Sequence, residues 1–239
     1  MAMKDIYATI RQSFRDILDA RGIHQKTAAV DVAGPEIGDA GGLPRGAEAK
    51  LIAEFEGAAG ECSTSYPTAF SGTLAEVAAM DIENNATERS IYIAVLNAVM
   101  NKYELADDCL TCREADKARC ADDILHRYRR ANGSVNFLLA GYQPHMVKAL
   151  AEHFPLRVLD LDPANIGQEA CGVTIEDGAA AYASAAAWAQ VVLCTGSALT
   201  NGTIHDYIKL PKDVSFYGTT IAGVSRILNI RRLCPYGRN

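Results

Sequence analysis

The sequence lacks every standard signature of catalysis by motif. It has no phosphate-cradling P-loop, no H-E-x-x-H pair and no Ser–His–Asp arrangement. It also has no basic stripe: its 239 residues carry a net charge of −6 and a pI near 5.4, a balance that argues against nucleic acid as a partner. The N-terminal residues do not read as a secretory leader, because Lys4, Asp5, Arg11, Arg15, Asp16 and Asp19 interrupt their apolar pattern. From Gly178 to Ile204 no side chain is charged. Ala, Ser, Gln, Thr, Asn and Gly dilute that run, so it reads as a buried Ala-rich helix and a strand rather than a membrane span. There is no internal repeat and no low-complexity linker. The seven cysteines are an odd number without an export signal, which points to a reduced, cytoplasmic setting with thiols free or on metal.

The chain is 49% hydrophobic, enough for a sizeable core, and long enough for one large domain or two small ones. Residues 3–20 form an amphipathic pattern through Ile6, Ile10, Phe14 and Ile17. Thr27–Val32 and Lys50–Phe55 read as strands. The stretch 34–46 is loop-like, Gly57–Gly60 reads as a strand breaker, and 61–72 reads as a hydroxyl-rich loop containing Ser63 and Thr64. Thr87–Asn101 reads as a buried helix. After a charged segment at 104–130, a boundary is expected near Asn132–Gly133. Strand patterns follow at Val135–Ala140, Leu156–Leu161, Gln190–Cys194 and Val214–Tyr217, alternating with helices. That alternation predicts a parallel α/β sheet.

Three of these strands end in glycine-bearing loops, at Gly141, Gly196 and Gly218. The central one, Thr195-Gly196-Ser197-Ala198-Leu199-Thr200-Asn201-Gly202-Thr203, offers hydroxyls, an amide and backbone N–H groups at a strand's C-terminal end, where open parallel sheets bind ligands. The same residues would also make a turn and a helix cap. Gly141-Tyr142-Gln143-Pro144 is not G-x-G-x-x-G, so Asp160 and Asp162, at the spacing of a ribose-binding acid, weakly support a nicotinamide role. His145, in the first turn of a helix beside this edge, could be a ligand, an acid–base group or a plain cap. His205 beside Asp206 reads as a surface residue.

Cys109-x2-Cys112-x7-Cys120 stands in the charged segment, with His126 six residues on. Soft thiolates at this spacing suit zinc, completed by His126, or three irons of an iron–sulfur cluster with the fourth iron on Cys62 or Cys234 or left open.

Motifs in both halves resemble the DUF364 family paired with a DUF4213 N-terminal domain, a family named for heavy-metal chelation. They are Glu88-Arg89-Ser90-Ile91-Tyr92-Ile93-Ala94-Val95-Leu96-Asn97-Ala98, similar to S-I-x-x-A-x-x-N-A, then Gly141-Tyr142-Gln143-Pro144-His145, then the central loop, similar to T-G-[ST]-x-L-x-N-G-T. Gly218-Thr219-Thr220 departs from the family's Gly-Pro-x-Thr-Pro loop. The resemblance implies an enolase-N-terminal-like α+β domain, taken as 1–131, followed by a Rossmann-like domain, 132–239, with a site in the cleft between them. The expected ligand-binding residues are Gly141, Tyr142, His145, Thr195, Gly196, Ser197, Asn201, Gly202, Thr203, Gly218, Thr219, Thr220, Ser63 and Thr64. The expected metal ligands are Cys109, Cys112 and Cys120, holding zinc or iron. The ligand is a small polar molecule or a metal chelate, and self-association is left open. A metal-handling protein and an enzyme on a small polar metabolite are the two functional readings.

Overall fold

The computed structural model describes residues 3–34, 43, 46–129 and 135–239. Most of the 34–46 loop and the whole of the expected boundary at Asn132–Gly133 lie outside the described residues. Among the described residues no helix is long and apolar enough to cross a membrane.

The first half opens with α1 (Met3–Arg21). It continues through β1 (Thr27–Ala33), β2 (Ala49–Phe55), β3 (Ala58–Thr64) and β4 (Phe70–Thr73) to α2 (Leu74–Ala79) and α3 (Ala86–Lys102). The four strands form an antiparallel sheet in the order β3-β2-β1-β4. Two expectations are corrected here. The break expected at Gly57–Gly60 ends β2 but is confined to its first residue, since Ala58–Gly60 already belongs to β3, and 61–72 is not one loop. Only Glu56 and Gly57 turn, with φ of 47° and 79°, and Phe55 pairs with Ala58 across a two-residue hairpin. Gly60 is small for a different reason. A Cβ there would lie 2.2 Å from Ala98 N, so the glycine lets α3 press onto β3.

The second half contains α4 (Lys117–Arg129), β5 (Phe137–Ala140), α5 (Pro144–Ala151), β6 (Leu156–Asp160), β7 (Glu169–Ala170) and β8 (Val173–Asp177). It ends with α6 (Tyr182–Trp188), β9 (Val191–Thr195), α7 (Ile204–Ile208), β10 (Asp213–Tyr217) and α8 (Ala222–Ile227). The sheet order is β10-β9-β5-β6-β8-β7, parallel except for β7 at one edge. The sequence reading missed β8, whose Val173-Thr174-Ile175-Glu176-Asp177 carries two acids and only Ile175 fully buried. The chain is thus α/β, an antiparallel-sheet unit followed by a mostly parallel one. Successive side chains of β5 serve two cores. Phe137 and Leu139 pack with α4 and α5, whereas Leu138 and Ala140 share one continuous cluster with α1, α3 and the antiparallel sheet.

Helix α3 joins the two units. Every residue from Arg89 to Met100 is buried, so it has no solvent face. Among them Arg89, Ser90 and Asn97 find hydrogen-bond partners, whereas the buried Tyr92 hydroxyl has none among the described residues. Ser90 bonds Thr64 (2.6 Å) and Ala86 O. Arg89 Nε donates to Thr200 O (2.9 Å) and Nη1 to Ile82 O (2.9 Å). Asn97 spends its whole amide: Nδ2 donates to the carbonyls of Glu61 (2.9 Å), Thr219 (3.2 Å) and Thr220 (3.2 Å), and Oδ1 accepts from Gly223 N (2.9 Å). One side chain thereby ties β3, the loop after β10 and the start of α8.

Removing that amide leaves buried carbonyls and an N–H without partners, each costing about 1–3 kcal/mol. Asn97→Ala should lose at least ~3 kcal/mol in urea unfolding. Asn101→Ala, whose Nδ2 makes a single half-buried bond to Ala59 O (2.9 Å), should lose about 1 kcal/mol. Equal losses would show that Asn97 is not the tie described.

Candidate ligand cleft

In the parallel sheet β5 continues to β6 on one side and β9 lies on the other, so the strand order reverses between β5 and β9. Ligand crevices form outside the carboxyl ends of strands at such a reversal. A cavity of about 720 Å³ opens there. Its floor is the three strand-end loops, and its roof comes from the antiparallel unit through Gly46, Glu48, Lys50 and Ser63. A third wall is Thr111, Cys112 and Lys117, from the charged segment before and within α4.

Of the residues expected from sequence, Gly141, Tyr142, Thr195, Gly196, Ser197, Asn201, Thr203, Gly218, Thr219, Thr220 and Ser63 line the cavity. Gly141 is forced by its surroundings. Its φ is +94°, and a Cβ would meet Thr195 at 2.7 Å and Tyr217 Oη at 2.8 Å. Tyr142 N donates to Asp160 Oδ2 (2.6 Å), and Asp162 N donates to Asp160 Oδ1 (2.7 Å), so Asp160 pins two adjacent loops. Asn201 does not cap α7. Its Oδ1 accepts from Thr203 N (3.2 Å) and Thr203 Oγ1 (2.8 Å), closing the turn before the helix.

Three expected residues fall elsewhere. Thr64 is buried against α3 through Ser90, because it points to the opposite face of β3 from Ser63. His145 lies outside the cavity wall, with Nε2 3.7 Å from Glu114 Oε1. Gly202 is also outside, its missing Cβ facing Arg89 Nη2 at 3.7 Å.

The central loop is partly structural. Leu199 is fully buried, its carbonyl accepting from Tyr7 Oη (2.9 Å). Thr200 accepts Arg89 at its own carbonyl and donates Oγ1 to Ser63 O (2.8 Å). Thr220 Oγ1 accepts from Ser63 N (2.9 Å). Three residues of the antiparallel unit thus clamp the loops that form the floor.

The cysteine expectation requires correction. Among the described residues no group of three or more His, Cys, Asp or Glu is placed to hold a metal ion. Cys109 is wholly buried under the N-terminal core, near Ala106 O (3.9 Å), and burial pushes its thiol up to about 12. Cys120 packs instead in the core beneath α4 and α5, and His126 turns back to Asp122 O (2.7 Å). Only Cys112 of the expected three reaches the cavity, where Cys234 joins it.

The residue that sequence reasoning missed is Glu48. It lies just before β2, carried over the end of β6 by Gly46, where a Cβ would sit 2.0 Å from Asp162 N. Its surface is open to the cavity, yet protein encloses it closely. Burial raises its carboxyl to about 7, with the Asp160 and Asp162 charges adding and hydrogen bonds to Ser197 and Ser63 opposing. The only sequence signal was its alternation with Lys50 at the start of a strand, which any half-exposed edge would give.

A carboxyl raised in the folded state takes up a proton on folding between its ordinary value and about 7. Its stabilising contribution is full at low pH and is lost as pH rises through 7. Glu48→Gln, which mimics the protonated form, should therefore melt with wild type at pH 4 and above it at pH 8. The gap should be roughly 1 kcal/mol once the shift is discounted for cavity water. A gap independent of pH would remove Glu48 from this role.

Residues 129–227 match the model of the DUF364 family, described as "Putative heavy-metal chelation". Similar solved structures include a protein of unknown function from the DUF364 family of Pyrococcus horikoshii, 14% identical, with a TM-score of 0.56 over 90% of this chain and 79% of that one. Another is a DUF364-family protein of unknown function from Desulfitobacterium hafniense DCB-2, 15% identical, with a TM-score of 0.50 over 90% of this chain and 82% of that one. At these identities the likeness is one of fold, and it runs through both sheets. No curated protein matches the chain. Over residues 129–227 the chain is similar to the DUF364 family, and its fold is that of the solved DUF364 structures.

Proposed function

We propose that this protein binds a metal as a small, positively charged chelate in the cleft between its two sheets. The observation that carries the reading is the charge of the cavity wall. Glu48, Asp160, Asp162 and Asp206 face it with Lys50 and Lys117. Both lysines are already paired, Lys50 with Glu61 and Thr111, Lys117 with Glu114. The field left over is negative and favours a cation. No preassembled set of three donors is found among the described residues, so a metal entering this cleft brings ligands of its own. The strand-end glycines let backbone approach such a complex, and cavities of this size suit a small organic ligand.

A second reading has its own support. A carboxyl held at about 7 and bonded to Ser197 is suited to move protons at neutral pH, as an enzyme on a small polar metabolite would require.

The test uses a cobalt(III) amine complex, which does not exchange its ligands, beside free zinc and cobalt(II) ions. The inert complex should raise the melting temperature, by the equivalent of about 2.7 kcal/mol at a hundredfold excess over Kd. The rise should grow from pH 6 to pH 8 as Glu48 ionises, and shrink in Glu48→Gln. Stabilisation by bare ions alone, with none from the inert complex, would overturn the chelate reading.

A further inference from the structure

We propose that Cys112 and Cys234, which line the same cavity from the segment before α4 and from the C-terminal tail, form a two-thiol site for a soft monovalent metal ion. The proposal deepens the chelate reading, on which its biological sense rests, by naming the class of metal: copper(I) or silver(I) rather than zinc.

The C-terminal tail brings both cysteines to one cavity. Leu110 and Arg238 form an antiparallel bridge, with Leu110 N donating to Arg238 O (2.8 Å) and Arg238 N to Leu110 O (2.9 Å). Arg238 Nε adds a bond to Thr111 O (2.8 Å). This lays the tail beside the segment carrying Cys112. The tail is held at its other end as well, where Arg232 donates to Gly218 O (2.8 Å), and Tyr236 Oη to Asp123 Oδ2 (2.7 Å). Cys234 is thereby placed in contact with the Gly218 backbone, at the end of β10, and lines the same cavity as Cys112. Each of the two thiols also lies within electrostatic reach of Cys120.

Thiolates select soft ions. A closed-shell monovalent ion is satisfied by two sulfurs in line, whereas zinc requires four donors. Among the described residues no third His, Cys, Asp or Glu completes a site. A pair therefore discriminates by ligand count as well as by softness. Binding forms two S–metal bonds and releases one proton from each thiol to solvent, and no group changes oxidation state. A chelate resting against the carboxylates would lie beside these sulfurs, so ligand exchange from chelate to protein becomes available.

The experiment is an anaerobic titration of the reduced full-length protein with silver(I), followed by the sulfur-to-metal absorption band. Iodoacetamide labelling and peptide mapping then identify the protected thiols among the seven. Protection should centre on Cys112 and Cys234 at the first equivalent. Cys112→Ser and Cys234→Ser should each lose that first step, Cys171→Ser should keep it, and equimolar zinc should not displace silver. The mapping reads wild type, so it stands even where a variant fails to fold. Protection of other cysteines first, or displacement by zinc, would overturn the proposal. Silver bound at this pair in a protein that ignores the inert cobalt complex would support the thiol site and overturn only the chelate reading of the cleft.

Discussion

The amide of Asn97 is the bond on which the cleft depends. It sits in a helix with no solvent face, where an unpaired polar group has nowhere to go. Its four hydrogen bonds fix β3, the loop after β10 and the start of α8 at one height. Gly60 and Gly223 are the complementary constraint. A Cβ at the first would strike the α3 backbone, and at the second Met100 Sδ at 2.7 Å. Small residues let the elements approach, and the amide then locks the approach. Ser63 and Thr220, which meet across the two units, are positioned as a consequence.

Electrostatics on the floor and on the roof are arranged differently. The floor loops are uncharged and expose hydroxyls and backbone. The roof and the end of β6 bring Glu48, Asp160 and Asp162 within reach of one another. Enclosure by protein raises the Glu48 carboxyl, and the neighbouring Asp160 and Asp162 charges add to it. The cost is carried by the fold, through contacts such as Gly46 on Leu161 and Asp162, which hold the carboxyl where water alone would not. In the proposed chelate reading a cation beside Glu48 would favour its ionised form, against the burial that holds it protonated.

The parallel sheet was legible in the sequence because its strands are apolar runs closed by glycine turns, and β5, β6, β9 and β10 lie where that pattern puts them. The antiparallel unit was less so. Ala58–Thr64 carries small and hydroxyl residues because α3 lies directly on it, and small residues in a strand look like loop. The three strand-end loops were legible as cavity lining, since glycine turns at the carboxyl ends of parallel strands lie where open sheets form their crevice. Glu48 was not, and Cys234 was offered only as one choice for a fourth cluster ligand beside Cys112, because the places of both depend on segments distant in sequence. One is set by Gly46 against β6, the other by the tail bridge of Leu110 with Arg238. Periodicity reports what a residue's own element does and is silent on what crosses it.

The central motif shows why a run of polar residues at a strand end is ambiguous as a site. Thr195 accepts from Ser197 N, Thr200 is consumed by Ser63 and Arg89, and Asn201 by Thr203. Much of the hydrogen-bonding capacity that made the motif conspicuous goes into holding the loop and clamping it to the first unit. Backbone and small surface remain for a ligand, and those give shape without charge. Discrimination between ligands must then come from groups that reach the cavity with chemistry still to spend. In the proposed chelate reading those are Glu48, its neighbouring aspartates and the thiols of Cys112 and Cys234, and they come from the roof, the end of β6 and the side wall rather than from the motif. In this fold the recognisable loop builds the room, and the residues facing it from other segments decide what enters.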